Sequence, residues 1–245
     1  MSTGTNARVA LVTGSGTRVG RVIAMALAEA GYGLLVHYAS SEEGAREVVE
    51  AAQARGLPAE AVRANLLERD EIGRLAAEAR RFGGGRLDLL VHNAANFERV
   101  PPEKLDEGSW DRAMALNATA PYLLTLALAP ELRAARGCVV GLGCVSAERP
   151  WKNFLPYSTS KAALVHALKG LALALAPEVR VNVVSPGMVQ PPDAYDEGLL
   201  ERLQAKIPLA RLGTAEDVAQ AVLFFAQNQF VTGQVLAVDG GRSLA

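Results

Sequence analysis

Cysteine is nearly absent from this chain: Cys138 and Cys144 are the two among 245 residues. They share one strand-like run, and extended chain at ~3.3 Å per residue sets them roughly 20 Å apart, beyond disulfide reach. A disulfide framework is excluded, and a reducing, cytoplasmic setting is expected. No long basic run occurs and the formal net charge is −1, so no nucleic-acid partner is expected. No uninterrupted apolar stretch reaches the ~18 residues of a membrane-crossing helix, so no membrane partner is expected. Met1 to Ala7 is small and polar, without a segment resembling a signal peptide. No metal is expected. Repeats, low-complexity tracts and linkers are also missing, and Gly83-Gly84-Gly85 reads as a turn rather than a boundary.

What is present is apolar material in a regular rhythm. Hydrophobic residues make up 50% of the chain, enough for a sizeable core. Short β-rich runs alternate with helical patterns, which points to a parallel sheet with crossover helices. The strands are expected at Arg8–Thr13, Gly33–Tyr38, Ala59–Arg63, Leu87–His92, Gly137–Leu142, Val179–Val184 and Gln234–Val238. Helices are expected at Arg18–Ala30, Glu42–Arg55, Glu68–Phe82 and Glu216–Gln227, with one long helix inside Asp106–Arg136 and another over Tyr157–Ala176. Glycines after the first three are stop signals. The resulting expectation is a single-domain, Rossmann-type, doubly wound seven-stranded parallel sheet spanning residues 1–245.

The stretch Ser185–Leu212 breaks the rhythm, with Pro186-Gly187, Pro191-Pro192 and a short amphipathic piece at Glu197–Lys206. It begins at the C-terminal end of a strand, where open α/β sheets bind ligands, and long loops in compact folds are commonly lids or binding segments.

The first strand runs into Thr13-Gly-Ser-Gly-Thr-Arg-Val-Gly20. Gly14, Gly16 and Gly20 permit a tight turn, close ligand approach and close helix–sheet packing, although the spacing departs from Gly-x-Gly-x-x-Gly. The following helix offers free N–H groups and the positive end of its dipole to a pyrophosphate. After the second strand, Val36-His37-Tyr38-Ala39-Ser40-Ser41 carries no acid, whereas a site for the ribose 2′-hydroxyl of NAD usually has one. Arg18, His37 and Ser40 suit a 2′-phosphate instead, so the expected cofactor is NADP.

Tyr157 and Lys161 stand at i and i+4 on an expected helix, and so on one face. An ammonium there favours the tyrosinate and lowers the phenol's pKa from its ordinary ~10, as an acid/base tyrosine at neutral pH requires. The spacing alone is common. Downstream of a glycine-rich strand–helix turn, it is specific.

With these residues placed, the chain resembles a classical short-chain dehydrogenase/reductase from end to end. The resemblance rests on Thr13–Gly20, Asn93-Ala94-Ala95, Asn117, Tyr157 with Lys161, Pro186-Gly187, and Val238-Asp-Gly-Gly241. It implies that Tyr157 protonates the carbonyl or imine that receives hydride. Lys161 would bind the nicotinamide ribose, and Asn117 would hold a water linking Lys161 to solvent. Val19 belongs to the phosphate turn; Asn65-Leu66 would meet the adenine, Asn65 standing where the family commonly has Asp. Asn93-Ala94-Ala95 and Pro186-Gly187-Met188 would line the remaining cofactor surface. A homotetramer paired through the long helices is implied as well.

Within the family, the details resemble pteridine reductases. They share arginine at the position of Arg18, the pattern His37-Tyr38 with Ser40, and Asn93-Ala-Ala-Asn-Phe97 in place of their Asn-Ala-Ser-Ser-Phe. Phe97 would stack on a flat substrate, with Trp151 and Phe154 forming an opposing wall. Two positions depart from that pattern. Cys144 stands where most relatives have serine and pteridine reductases aspartate, with Ser146 able to substitute if the backbone shifts; Ala95 replaces a substrate-contacting serine. The expected function is NADPH-dependent reduction of a C=O or C=N group of a small molecule, a pteridine-like one first. The alternatives are a general carbonyl or 3-oxoacyl thioester reductase, and a catalytically weak dinucleotide-binding sensor.

Overall fold

A computed structural model, describing residues 7–191 and 195–245, contains a sheet of seven strands in which every neighbouring pair is parallel. The N-terminal polar stretch up to Asn6, and Pro192 of the irregular segment, lie outside the described residues. The strands are β1 (Arg8–Val12), β2 (Tyr32–Tyr38), β3 (Ala59–Arg63), β4 (Leu89–His92), β5 (Cys138–Leu142), β6 (Arg180–Pro186) and β7 (Val235–Val238), in the order β3-β2-β1-β4-β5-β6-β7. The order reverses between β1 and β4, so a crevice opens beyond the C-terminal ends of these two strands. Val12 is in register with Val36 on one side and Val91 on the other.

The central strands are buried on both faces, which explains their unbroken apolar runs. Helices α1 (Arg18–Glu29), α2 (Glu42–Gln53) and α9 (Ala215–Gln227) bury Ile23, Leu27, Val48 and Phe225 against one face. On the other face lie α3 (Arg69–Phe82), α5 (Ala120–Ala127) and α7 (Leu155–Ala174), contributing Leu75, Leu124, Leu164 and Leu168. α7 begins two residues before Tyr157 because Pro156 is at home in a first helical turn. The amphipathic piece of the irregular segment is α8 (Glu197–Gln204), capped by Asp196.

The long helix expected inside Asp106–Arg136 runs from Glu107 to Ala127 with a π turn inside it, and bends before Ala129. Helix α4 (Glu107–Met114) passes into a π-helical turn at Ala115–Thr119 and on into α5; α6 (Ala129–Ala135) then departs at 59°. Pro121 and Pro130 lack the amides that an unbroken ladder needs, and each stands in the first turn of a new segment. No single helix among the described residues is long and apolar enough to cross a membrane.

Candidate active site

The turn after β1 is tied down from three sides. Thr13 Oγ1 accepts the Asn93 and Ala94 amides, both at 3.0 Å, and donates to the Val91 carbonyl at 3.3 Å. Asn93 Nδ2 returns two bonds, to the Thr13 and Gly14 carbonyls at 2.9 and 3.0 Å. A Cβ at Gly20 would collide with the Gly14 carbonyl and the Asn93 amide, so α1 approaches this closely only with glycine there. In front of the turn lies a cavity of about 500 Å³. Gly14, Gly16, Arg18, Val19 and Gly20 line it from the turn; Tyr38 and Ser40 from the end of β2; Asn65, Leu66, Asn93, Ala94 and Ala95 from the ends of β3 and β4. These candidates from four separate segments therefore meet in one place. Unpaired N–H groups at the α1 N-terminus face outward as in any helix, so the turn is a cradle of the kind a pyrophosphate requires.

Two cofactor candidates behave differently from expectation. His37, expected to meet a 2′-phosphate, does line the cavity, but it is 1% exposed. Its Nδ1 accepts the Gly14 N–H at 3.0 Å, which leaves the proton on Nε2 to donate to the Ala64 carbonyl at 3.0 Å. Both nitrogens are committed to holding β2, β3 and the turn together, and burial pulls the imidazole down to about 4. Arg18 lines the cavity, but its guanidinium donates to the Gln190 carbonyl beyond β6, not to the residues after β2. The arginine next to Ser40 is Arg63, whose Nε donates to the Ala39 carbonyl at 3.3 Å.

Further along the same sheet edge, Tyr157 and Lys161 rise from the first turns of α7. Lys161 is 3% exposed; its Nζ donates to the Leu142 carbonyl at 2.7 Å and lies 5.8 Å from the centre of the Tyr157 ring. Burial pulls the ammonium down to about 8, with Cys144 acting in the opposite sense. The expected lowering of the tyrosine pKa is reversed here. Burial pushes the Tyr157 phenol well above its ordinary value, and the adjacent Cys144 adds to the shift. The reason is desolvation: Tyr157 is 9% exposed beneath aromatic neighbours, while the Lys161 hydrogen bond goes to the backbone.

Cys144 and Ser146 are also separated by the fold. Cys144 packs beside Tyr157, and its Sγ accepts the Ser146 amide at 3.4 Å. Ser146 is completely buried, and its hydroxyl has no hydrogen-bond partner. Asn117, buried in the π turn, accepts the Asn96 amide at 2.9 Å and donates to the Asn96 carbonyl and Ser160 Oγ at 3.2 and 3.0 Å. Ser160 Oγ donates on to the Tyr157 carbonyl at 2.7 Å. Both N–H donors of Asn117 thus fasten the Phe97 loop to α7.

Phe97, Trp151, Phe154 and Tyr157 form an aromatic cluster. Phe97 meets Tyr157 edge-on at 4.8 Å between ring centroids and Trp151 at 6.3 Å. The loop bearing Phe97 is pinned by the Val100 amide donating to the Asn153 carbonyl at 2.8 Å. Pro186 ends β6; the Gly187 amide donates to the Val238 carbonyl at 3.0 Å, and the Met188 carbonyl accepts from Gly213 at 3.0 Å. A Cβ at Gly187 would lie 2.7 Å from that of Asp239, which joins two otherwise separate sequence motifs.

Residues 15–243 match the family described as enoyl-(acyl carrier protein) reductase. The 3-oxoacyl-[acyl-carrier-protein] reductase FabG of Staphylococcus aureus is 34% identical over 239 residues, covering 95% of this chain and 96% of the relative. The chain is a short-chain dehydrogenase/reductase. Among solved structures, the angucycline C-6 ketoreductase LanV with bound NADP superposes with a TM-score of 0.89 at 28% identity, covering 97% of this chain and 96% of that one. A 7α-hydroxysteroid dehydrogenase complexed with NADH and 7-oxo glycochenodeoxycholic acid gives 0.89 at 30% identity, covering 96% and 93%. These similarities carry the family and its oxidoreductase character. They give the pteridine reductase subgroup no specific support.

In this dehydrogenase/reductase, the tertiary structure gives several residues roles that the sequence motifs do not assign. Thr13 is the hub of the turn. Ala64 anchors His37, and Ser160 links Asn117 to Tyr157. Gly44 in α2 packs so closely on the Gly16 carbonyl that a Cβ would overlap it. A threonine before a glycine turn and a serine beside the tyrosine are local signals; the Gly44 contact has none.

Proposed function

We propose that this protein is an NADPH-dependent reductase of ketones or 3-oxoacyl thioesters. The observation that carries this reading is the buried group of Tyr157, Lys161 and Cys144, with Lys161 held at the C-terminal end of β5, the same sheet edge on which the glycine turn opens. NADPH, when bound, supplies hydride. Its phosphates fit the cradle at Gly14–Gly20, with Ser40 and Arg63 or Arg18 available to the 2′-phosphate. Tyr157 delivers its phenolic proton to the substrate oxygen, and the nearby Lys161 ammonium offsets the charge left on the phenolate. Cys144 sits where it orients the same oxygen, as a weak donor. Asn117 is a positioning residue that fixes the Phe97 loop and α7. The relatives named for 3-oxoacyl and angucycline ketone reduction support carbonyl over pteridine chemistry.

A second reading, a flat cyclic ketone or pteridine-like imine, is favoured by the aromatic cluster around Tyr157. Exposed apolar side chains on α4, α5 and α7, among them Trp110, Tyr122, Leu126 and Leu173, support a homotetramer paired through these helices. The buried free thiols suit a cytoplasmic setting. The test is NADPH oxidation against an acetoacetyl thioester, simple aldehydes, a flat bicyclic ketone and dihydropterins. Turnover of dihydropterins alone would overturn the carbonyl reading.

A further inference from the structure

Trp151 faces two ways. Its ring packs edge-on against Phe97 and Phe154, and it also lines a separate cavity of about 250 Å³. Three cations converge there from distant parts of the chain: Arg149 from the segment after β5, Lys206 from just beyond α8, and Arg242 from the final turn. Among the described residues, no Asp or Glu lines the cavity and none of the three is in an ion pair. Arg149 donates to the Ala245 carbonyl oxygen at 2.9 Å. Three positive side chains thus meet in a recess that shares Trp151 with the aromatic cluster at Tyr157. Like charges held together repel one another, so the arrangement favours an anion arriving between them.

We propose that this cavity binds a phosphate or pyrophosphate group carried at the far end of the carbonyl substrate. The inference rests on the carbonyl-reductase reading and narrows it to substrates with an anionic tail. Two guanidinium forks match phosphate oxygens in pairs, and Lys206 adds a point charge. Three cations suit a multiply charged group better than a single carboxylate. The volume is below the ~300–1,000 Å³ of sites that enclose a whole ligand, so it accommodates a head group while the reacting end lies across Trp151 at Tyr157. Thioesters of coenzyme A have this chemistry: a neutral reacting end and a polyphosphate tail.

Acetoacetyl-coenzyme A and S-acetoacetyl-N-acetylcysteamine present the same 3-oxo thioester with and without the phosphates. The double variant Arg149→Gln/Arg242→Gln is expected to lower the ratio of their kcat/KM values at least tenfold, through KM for the coenzyme A ester. This is the scale of lost charge-assisted hydrogen bonds. Equal losses on both esters, or none, would overturn the proposal. A second readout needs no turnover. In Trp110→Phe, Trp151 is the remaining tryptophan, and saturating NADP⁺ keeps the dinucleotide site filled. Inorganic pyrophosphate should then change its emission saturably, and the double variant should abolish the response. No saturable response would reject the anion site; a response without turnover of either ester would keep it and reject the thioester-reductase reading.

Discussion

Phe97 lies flat against Phe154, with ring centroids 4.5 Å apart and planes inclined by 12°. Phe97 in turn meets the Tyr157 ring edge-on and contributes to the burial of a phenol on the first turn of α7. The pairing also occupies one face of the residue expected to stack on a flat substrate.

Phe97, 41% exposed, keeps surface for a ligand. An aromatic pair is worth about 0.5–1.5 kcal/mol beyond burial. Phe97→Ala is therefore expected to reduce kcat/KM for a flat aromatic ketone such as 1-tetralone up to about tenfold relative to saturated 1-decalone. Parallel losses on both ketones would reduce Phe97 to a loop anchor.

Tyr157→Phe removes the transferable proton and leaves the rest of the cavity. Reduction should fall by ~10²–10⁴, while NADPH binding, followed by fluorescence titration, stays near that of the parent. Lys161→Ala should impair both. Retention of a tenth of the rate by Tyr157→Phe would exclude it as the acid.

Cys144 and Ser146 now make separable predictions. Cys144→Ser places a stronger donor beside Tyr157 and should raise the rate on a simple ketone. Ser146→Ala removes a buried hydroxyl that has no partner, so thermal stability should hold or increase by about 1 kcal/mol with little change in rate. A collapse of activity in Ser146→Ala would reverse the assignment.

Cofactor preference gives a fourth test. NADPH should be preferred over NADH at least about tenfold, the scale of one charge-assisted bond. Arg63→Ala should erode that preference more than Arg18→Ala, because Arg63 adjoins Ser40 whereas Arg18 bonds to Gln190. Ratios of kcat/KM for the two dinucleotides in each variant decide it.

His37, held near 4 against an ordinary 6.5, ties stability to pH. As pH falls below about 6.5 the unfolded chain takes up the proton first, so stability is lost progressively down to about pH 4. At 1.36 kcal/mol per unit, the loss is about 3 kcal/mol. Protonation of Nδ1 also ends its acceptance of the Gly14 N–H. Urea unfolding at pH 7 and pH 4 should show a smaller pH-dependent change for His37→Gln; an equal change would assign the acid sensitivity elsewhere, first to buried His92, which burial pulls down to about 3.

The sequence alone determined the seven parallel strands to within two residues at each end, the glycine turn, and the Tyr157/Lys161 pair. All three are short-range signals: apolar runs bounded by turns, glycines before a helix, and side chains one helical turn apart. A long helix within 106–136 was legible, but its π turn at Ala115–Thr119 and the bend before Ala129 depend on how neighbouring turns repack. Tertiary structure decided what each site atom faces. Arg18 meets Gln190 across 172 positions, His37 turns inward because Gly14 and Ala64 close on it, and the phenol of Tyr157 rises because the fold buries it, with Cys144 beside it. Hydrogen-bond partners and desolvation are set by groups far apart along the chain, so the same spacing that places a lysine beside a tyrosine cannot say which way its pKa will move.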